Sequence, residues 1–167
     1  MHKRIFFVLF SLVLILIGYF YLTHKKILPS SKSNIFNTYH NGRFNFSIRY
    51  PKEWDTLHGS ENGDGTKLYE KQGNDILVYG CNLVDNSDKA ELEADRNSGK
   101  KIISFTSDQG VTGNLITGKE ENKNLFQFII FKDDHCYSFY ALSPLDYYAT
   151  HEQIFEQVAK SLSINAR

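Results

Sequence analysis

Residues 5–23, IFFVLFSLVLILIGYFYLT, run for 19 positions without a charge. As a helix the run spans roughly 28 Å, close to the hydrocarbon thickness of a bilayer. A buried core helix seldom sits at a terminus with basic clusters on both flanks, so the run is expected to be a transmembrane signal-anchor helix after a short tail, residues 1–4. A cleaved signal has an apolar stretch of about 7–15 residues and a small-residue cleavage site. Here the exit reads Tyr19-Phe20-Tyr21-Leu22-Thr23-His24-Lys25-Lys26. A lipoprotein signal needs a cysteine just after the run, and the first cysteine is Cys81. Tyr19, Phe20 and Tyr21 fit an interfacial aromatic belt. Lys3 and Arg4 favour a cytoplasmic N-terminus, although Lys25, Lys26 and Lys32 on the far side reduce the asymmetry. The expected location is the cell membrane, single-pass, with the domain on the extracytoplasmic side and the apolar helix contacting lipid.

The anchor changes how the charge is read. The chain balances 19 basic against 19 acidic residues. Five of the basic ones, Lys3, Arg4, Lys25, Lys26 and Lys32, flank the apolar run, leaving 14 against 19 and a net of −5 for the domain. Nucleic-acid binding needs a basic patch or stripe, and none is visible, so no nucleic-acid partner is expected. Residues 24–38, with Pro29-Ser30-Ser31-Lys32-Ser33-Asn34, have little to bury and read as a linker. The remainder, 39–167, is long enough for one domain with a real core.

Phe44-Asn45-Phe46-Ser47-Ile48-Arg49-Tyr50 alternates strictly, as a strand with one buried face does. Pro51 ends it, and Trp54 begins a shorter element. Asn62-Gly63-Asp64-Gly65 is a turn leading into Lys67–Glu70. Asp75 to Val84 is a strand with Leu77, Tyr79, Cys81 and Leu83 on one side and Ile76 and Val78 on the other. Residues 87–98 predict a solvated helix, capped by Ser87, stopped by Gly99, and holding one large apolar residue, Leu92. Strands follow at Val111–Gly118, Leu125–Phe131 and Cys136–Leu142. Lys132-Asp133-Asp134-His135 turns the last two into an antiparallel pair. Leu125–Phe131 is apolar on both faces apart from Gln127, so the sheet needs cover on both sides. Thr150 and Gln153 fit a capping box, and Ile154, Phe155, Val158 and Leu162 recur at helical spacing. The class is α+β, a central antiparallel β-sheet with helices on its faces.

Several stretches together resemble the PsbP-like family, named for an extrinsic subunit of photosystem II. They are the opening GRFNFSIRYPKEW, the later TGNLITG, the strands LFQFIIF and HCYSFYAL, and the closing FEQVAKSLSI. The family's Tyr-Pro-x-x-Trp signature falls on Tyr50, Pro51 and Trp54, and its closing Ser-Leu strand on Ser161-Leu162. The resemblance covers residues 40–165. It implies an α/β/α sandwich and core roles for Tyr50, Pro51 and Trp54. It implies a binding or assembly module without a shared catalytic set.

Candidate reactive residues are few. Cys81 and Cys136 both fall in strands, where they form either a disulfide, as an oxidising compartment permits, or two buried thiols. His135 and Cys136 are adjacent in a strand and point to opposite faces, so they cannot form a dyad. The alternative is a small extracytoplasmic hydrolase using Cys136, with His58 or His151 brought to it by the fold, or using a histidine from elsewhere in the domain. Asp85, Asp88, Glu91, Glu93 and Asp95 lack the EF-hand Gly and Glu, since Ala90 and Arg96 stand at those positions. They read as a solvated helix face, and Asp133 and Asp134 as turn residues. Of Tyr147 and Tyr148, one is expected to pack and the other to face solvent. No phosphate-loop or zinc motif occurs, and neither a cofactor nor a metal is expected. The leading expectation is a non-catalytic binding or assembly domain with a protein partner at the cell envelope. A ligand sensor is the other alternative, and with only four residues before the anchor it would need a partner to signal.

Overall fold

The computed structural model describes residues 36–56, 59–69, 74–84 and 87–165. The expected anchor at 5–23, most of the linker and His58 lie outside these. Ile35–Arg167 form one compact unit. Among the described residues no helix is long and apolar enough to cross a membrane.

Two antiparallel sheets carry the unit. In the three-stranded one, β2 (Phe46–Pro51) lies between β1 (Phe36–Asn41) and the short β10 (Ser163–Ile164). The seven-stranded one contains β3 (Asp55–Thr56), β4 (Gly65–Tyr69), β5 (Asp75–Asn82), β6 (Lys101–Thr106), β7 (Thr112–Glu120), β8 (Lys123–Lys132) and β9 (His135–Ser143). Its spatial order is β3-β4-β5-β9-β8-β7-β6. Helix α1 (Ser87–Asn97) joins β5 to β6, and α2 (Leu145–Lys160) follows β9.

The β8–β9 hairpin sits at the centre. Asp133 and Asp134 take the left-handed conformation, φ 50° and 60°. Short polar side chains tolerate that conformation, and it matches the twist of a two-residue hairpin. Lys132 therefore pairs with His135, and the register runs on to Asn124 opposite Ser143. That register sorts the side chains into two layers. On the inner face, Phe126, Phe128, Tyr137, Phe139, Ile76 and Val78 are all nearly or fully buried. They pack against Phe155, Val158 and Ala159 of α2 and against Phe46 and Ile48 of β2. Phe155 anchors this layer, its ring within 6.2 Å of Phe126, Phe139 and Trp54. On the outer face, Ile116, Leu125, Ile129 and Cys136 form a second, smaller core, packed by Tyr79, Ile102, Tyr140 and the single Leu92 of α1. Helices thus lie on both faces.

Several expectations are corrected. The capping box at Thr150 and Gln153 does not exist: α2 begins a turn earlier, at Leu145 after Pro144, with no side-chain cap. Thr150 is inside the helix, its hydroxyl donating to the carbonyls of Asp146 and Tyr147 at 3.1 and 3.0 Å. The terminal strand is Ser163–Ile164 rather than Ser161-Leu162. Ser161 is the helix C-cap and its hydroxyl accepts the Arg49 N–H at 2.8 Å. Phe36, Asn37 and Thr38, read as the end of the linker, are strand residues paired with β2. The strand β6 was not anticipated at all. Tyr147 and Tyr148 both pack on the inner core.

Candidate functional site

The Tyr-Pro-x-x-Trp segment serves the core. The Trp54 N–H donates to the Pro51 carbonyl at 3.0 Å, closing a turn that swings the indole inward. Trp54 is 1% exposed and Tyr50 7%. Neither faces a ligand space.

Cys81 and Cys136 stand directly opposite one another on β5 and β9. They are joined by a disulfide with their Cα atoms 4.9 Å apart. In this state Cys136 has no thiolate to act as a nucleophile. The sheet also separates it from the described histidines of interest. His135 is on the inner face, edge-on to Phe44 and Tyr137 at 5.6 and 6.4 Å, and is half-buried rather than a bare turn residue. His151 is on α2, which covers that same inner face, and stacks on Tyr147 at 3.8 Å. Among the described residues no group of three His, Cys, Asp or Glu side chains is placed to hold a metal ion.

The outer face carries the polar chemistry. Lys100 follows the end of α1 and bridges Asp95 at 2.8 Å and Glu120 at 2.5 Å, its side chain 12% exposed. Desolvation alone would lower the Lys100 pKa, but the two carboxylates prevail and hold it above its ordinary value. Lys100 in turn holds Glu120 below the usual carboxylate range, against the opposing effect of burial. The Tyr140 hydroxyl donates to Glu120 at 3.0 Å. Its own ionisation is pushed well up by burial and then by that carboxylate. Farther along, Asp75 is clamped between Lys123 at 2.9 Å and Lys67 at 2.8 Å, which lower its pKa. Buried Gln127 donates to Ser138 at 3.3 Å. Desolvation and the neighbouring Asp95 charge raise Glu91. Asp95, expected on a solvated helix face, therefore helps fix α1 to the sheet, whereas Glu91 is exposed on the helix as expected. These groups form a fastening, since each strong charge is already met by an opposite one.

A pocket of about 430 Å³ opens beside this face, between the 60–65 turn and β5, bordered by Ser60, Asp64, Lys67, Leu77, Tyr79 and Cys81. In its wall Gly65 lies directly against Tyr79, where any Cβ would collide with the Val78 carbonyl and the Tyr79 backbone. The turn is tied down from the small sheet. Buried Asn41 donates to the carbonyls of Gly63 and Asp64 at 3.0 and 3.1 Å, and Arg43 pairs with Asp64 at 2.6 Å. Ser60 is occupied as well: its hydroxyl accepts the Gly65 N–H at 2.9 Å. The pocket can receive a small group, but it presents no paired nucleophile and base. Its walls are the 60–65 turn and the consecutive strands β4 and β5, and no residue motif marks it in the sequence.

No protein-family model matches the sequence, and no curated protein matches it either. Solved structures do. Cyanobacterial PsbP (CyanoP) from Synechocystis is similar at a TM-score of 0.55 and 10% identity, over 79% of this chain and 94% of that one. A structure from Bacteroides thetaiotaomicron gives 0.53 at 14% identity, over 78% of this chain and 48% of that one. The Saccharomyces cerevisiae Ran-binding protein Mog1p gives 0.48 at 9% identity, over 78% and 95% of the two chains. At such identities the likeness concerns architecture, and the sandwich described above is the PsbP-like fold.

Proposed function

We propose that this chain is a non-catalytic binding or assembly domain, held outside the cytoplasm by a membrane anchor at residues 5–23. The observation that carries the reading is the Cys81–Cys136 bridge. Disulfides persist in oxidising compartments and are rare in the cytosol, which agrees with an anchor whose basic head stays inside. The same bridge occupies the only two sulfur nucleophiles of the chain. The PsbP-like fold agrees with a module that works by contact, as does an outer face whose charges are consumed in ion pairs.

Two measurements test this. Alkaline phosphatase fused after Arg167 is expected to be active, and a silent fusion would place the domain inside. Affinity capture of the full chain from detergent-solubilised membranes is expected to return the same protein partner in independent preparations. If nothing reproducible is retained, the binding reading fails. A hydrolase acting through Cys136 would instead show turnover that depends on reductant.

A further inference from the structure

We propose that the outer edge of β6 pairs antiparallel with β6 of a second copy of this chain, centred on Ser104, so that two seven-stranded sheets join into one. The proposal deepens the binding reading by naming one partner.

Among the described residues β6 ends the sheet, with β7 on one side and no strand on the other. Its free backbone groups follow from the turn beside it. The Ser107 N–H donates to the Val111 carbonyl, and the Gly110 N–H to the Ser107 carbonyl, both at 2.9 Å. Antiparallel ladders alternate bonded and non-bonded pairs. Counting back from Ser107 makes Phe105–Gly113, Ile103–Leu115 and Lys101–Thr117 the bonded pairs in the observed register. The N–H and C=O of Ile102, Ser104 and Thr106 then point away from β7. Exposed sheet edges are normally blunted by proline, bulges, inward charges or shortness. β6 has a continuous register, no proline and one charge, Lys101, at its start. The opposite edge of the same sheet is the two-residue β3. Ile103, near the middle of β6, is 44% exposed.

The sequence of β6 complements itself. With Ser104 opposite Ser104 of the second copy, Ile102 faces Thr106 of the other chain, and the reverse. All three outward N–H groups and all three outward carbonyls are then bonded. On the inner face Ile103 meets Phe105 of the second copy twice over. Cross-strand pairs of this apolar kind stabilise sheets. Lys101 falls opposite Ser107, so no like charges meet. Sliding to an Ile103-centred pairing turns Thr106 toward Lys100, whose N–H already donates to the Asp95 carbonyl at 3.1 Å. A one-residue slip would set the two inner faces on opposite sides. A six-residue edge buries less than the roughly 1,200–2,000 Å² of a stable interface. The association is therefore weak in dilute solution and is favoured when copies share a membrane.

Cross-linking captures such a contact. In this register the two Ser104 Cα atoms lie about 5.5 Å apart, within disulfide reach. In native membranes the full chain carrying Ser104→Cys is expected to form a covalent dimer under mild oxidation. Its rate should exceed that of Asn37→Cys, on exposed β1, by about tenfold or more, because only apposed Cβ atoms can bridge. Adding Thr106→Pro, where the N–H points outward, should reduce the cross-link to the Asn37→Cys rate. Ile103→Lys, at an exposed position, should do the same without altering the backbone. Equal rates at Ser104→Cys and Asn37→Cys would overturn the proposal, and so would a Ser104→Cys adduct with a different polypeptide. Neither result removes a partner captured elsewhere on the domain, so the binding reading stands or falls on its own experiment.

Discussion

On the inner face of the seven-stranded sheet, Phe126, Phe128 and Phe139 meet Phe155 and Val158 of α2 in a layer with no charged residue in it. On the outer face the same strands present Gln127, Ser138, Tyr140 and the Cys81–Cys136 bridge beneath a helix that offers one leucine. The inner layer gains stability from buried apolar area, which is non-directional. The outer layer depends on discrete fastenings, each of which is lost whole when one partner is removed. The difference explains how a helix as polar as α1 can stay docked: Lys100, immediately after it, is held by Asp95 of the helix and Glu120 of β7.

This contrast can be broken at its strong side first. Phe155→Ala should lower unfolding stability by about 3–5 kcal/mol in a denaturant titration, as for other large-to-small core changes. Replacing both cysteines by alanine should cost about 2–4 kcal/mol, the usual effect of a bridge closing a loop of this kind. A larger loss from the cysteines than from Phe155 would invert the proposed ranking of the faces.

Lys100→Met should cost about 1–3 kcal/mol at neutral pH, because it leaves Asp95 and Glu120 facing each other without a cation. The sign of its pH dependence is a sharper check. Glu120 in the folded chain lies below its ordinary 4.5, so its stabilisation is present above that value and is lost as pH falls through the folded value. The wild-type chain should therefore lose more stability than Lys100→Met between neutral pH and about pH 3. Smallest is Leu92→Ala, half-buried, at about 1 kcal/mol or less. Amide exchange should show it as faster opening of Ser87–Asn97 while β8 stays protected. Equal acceleration in β8 would mean that α1 and the sheet open as one unit.

Much of this architecture could be read in advance, and the reasons are local. Lys132-Asp133-Asp134-His135 contains two residues that tolerate positive φ, and it lies between apolar runs, so the central hairpin was legible. Gly99, at φ +81°, marked the end of α1 in the same way. The strands β1 and β6 were harder. FNTYHN and KIISFT are edge strands with little to bury, and without a clean alternation they resemble loops. The start of α2 was misplaced because Pro144 caps it without any side-chain signature, while Thr150 and Gln153 imitate one.

The candidate sites divide along the same line. Both cysteines were recognised as strand residues, but only the β5–β9 register puts them face to face. The pocket beside Tyr79 has no motif of its own, since its shape depends on the β4–β5 register that sets Gly65 against Tyr79.

By itself the chain determined its local periods, its turns, an acidic domain behind an apolar run, and a sheet needing cover on both sides. These follow from the spacing of apolar residues and from which residues accept a left-handed backbone. Only the tertiary structure decided which cysteine, lysine and carboxylate would meet. Pairings of that kind are set by strand order and register, and those arise from the collective packing of Phe126, Phe139, Phe155 and their neighbours rather than from any short segment.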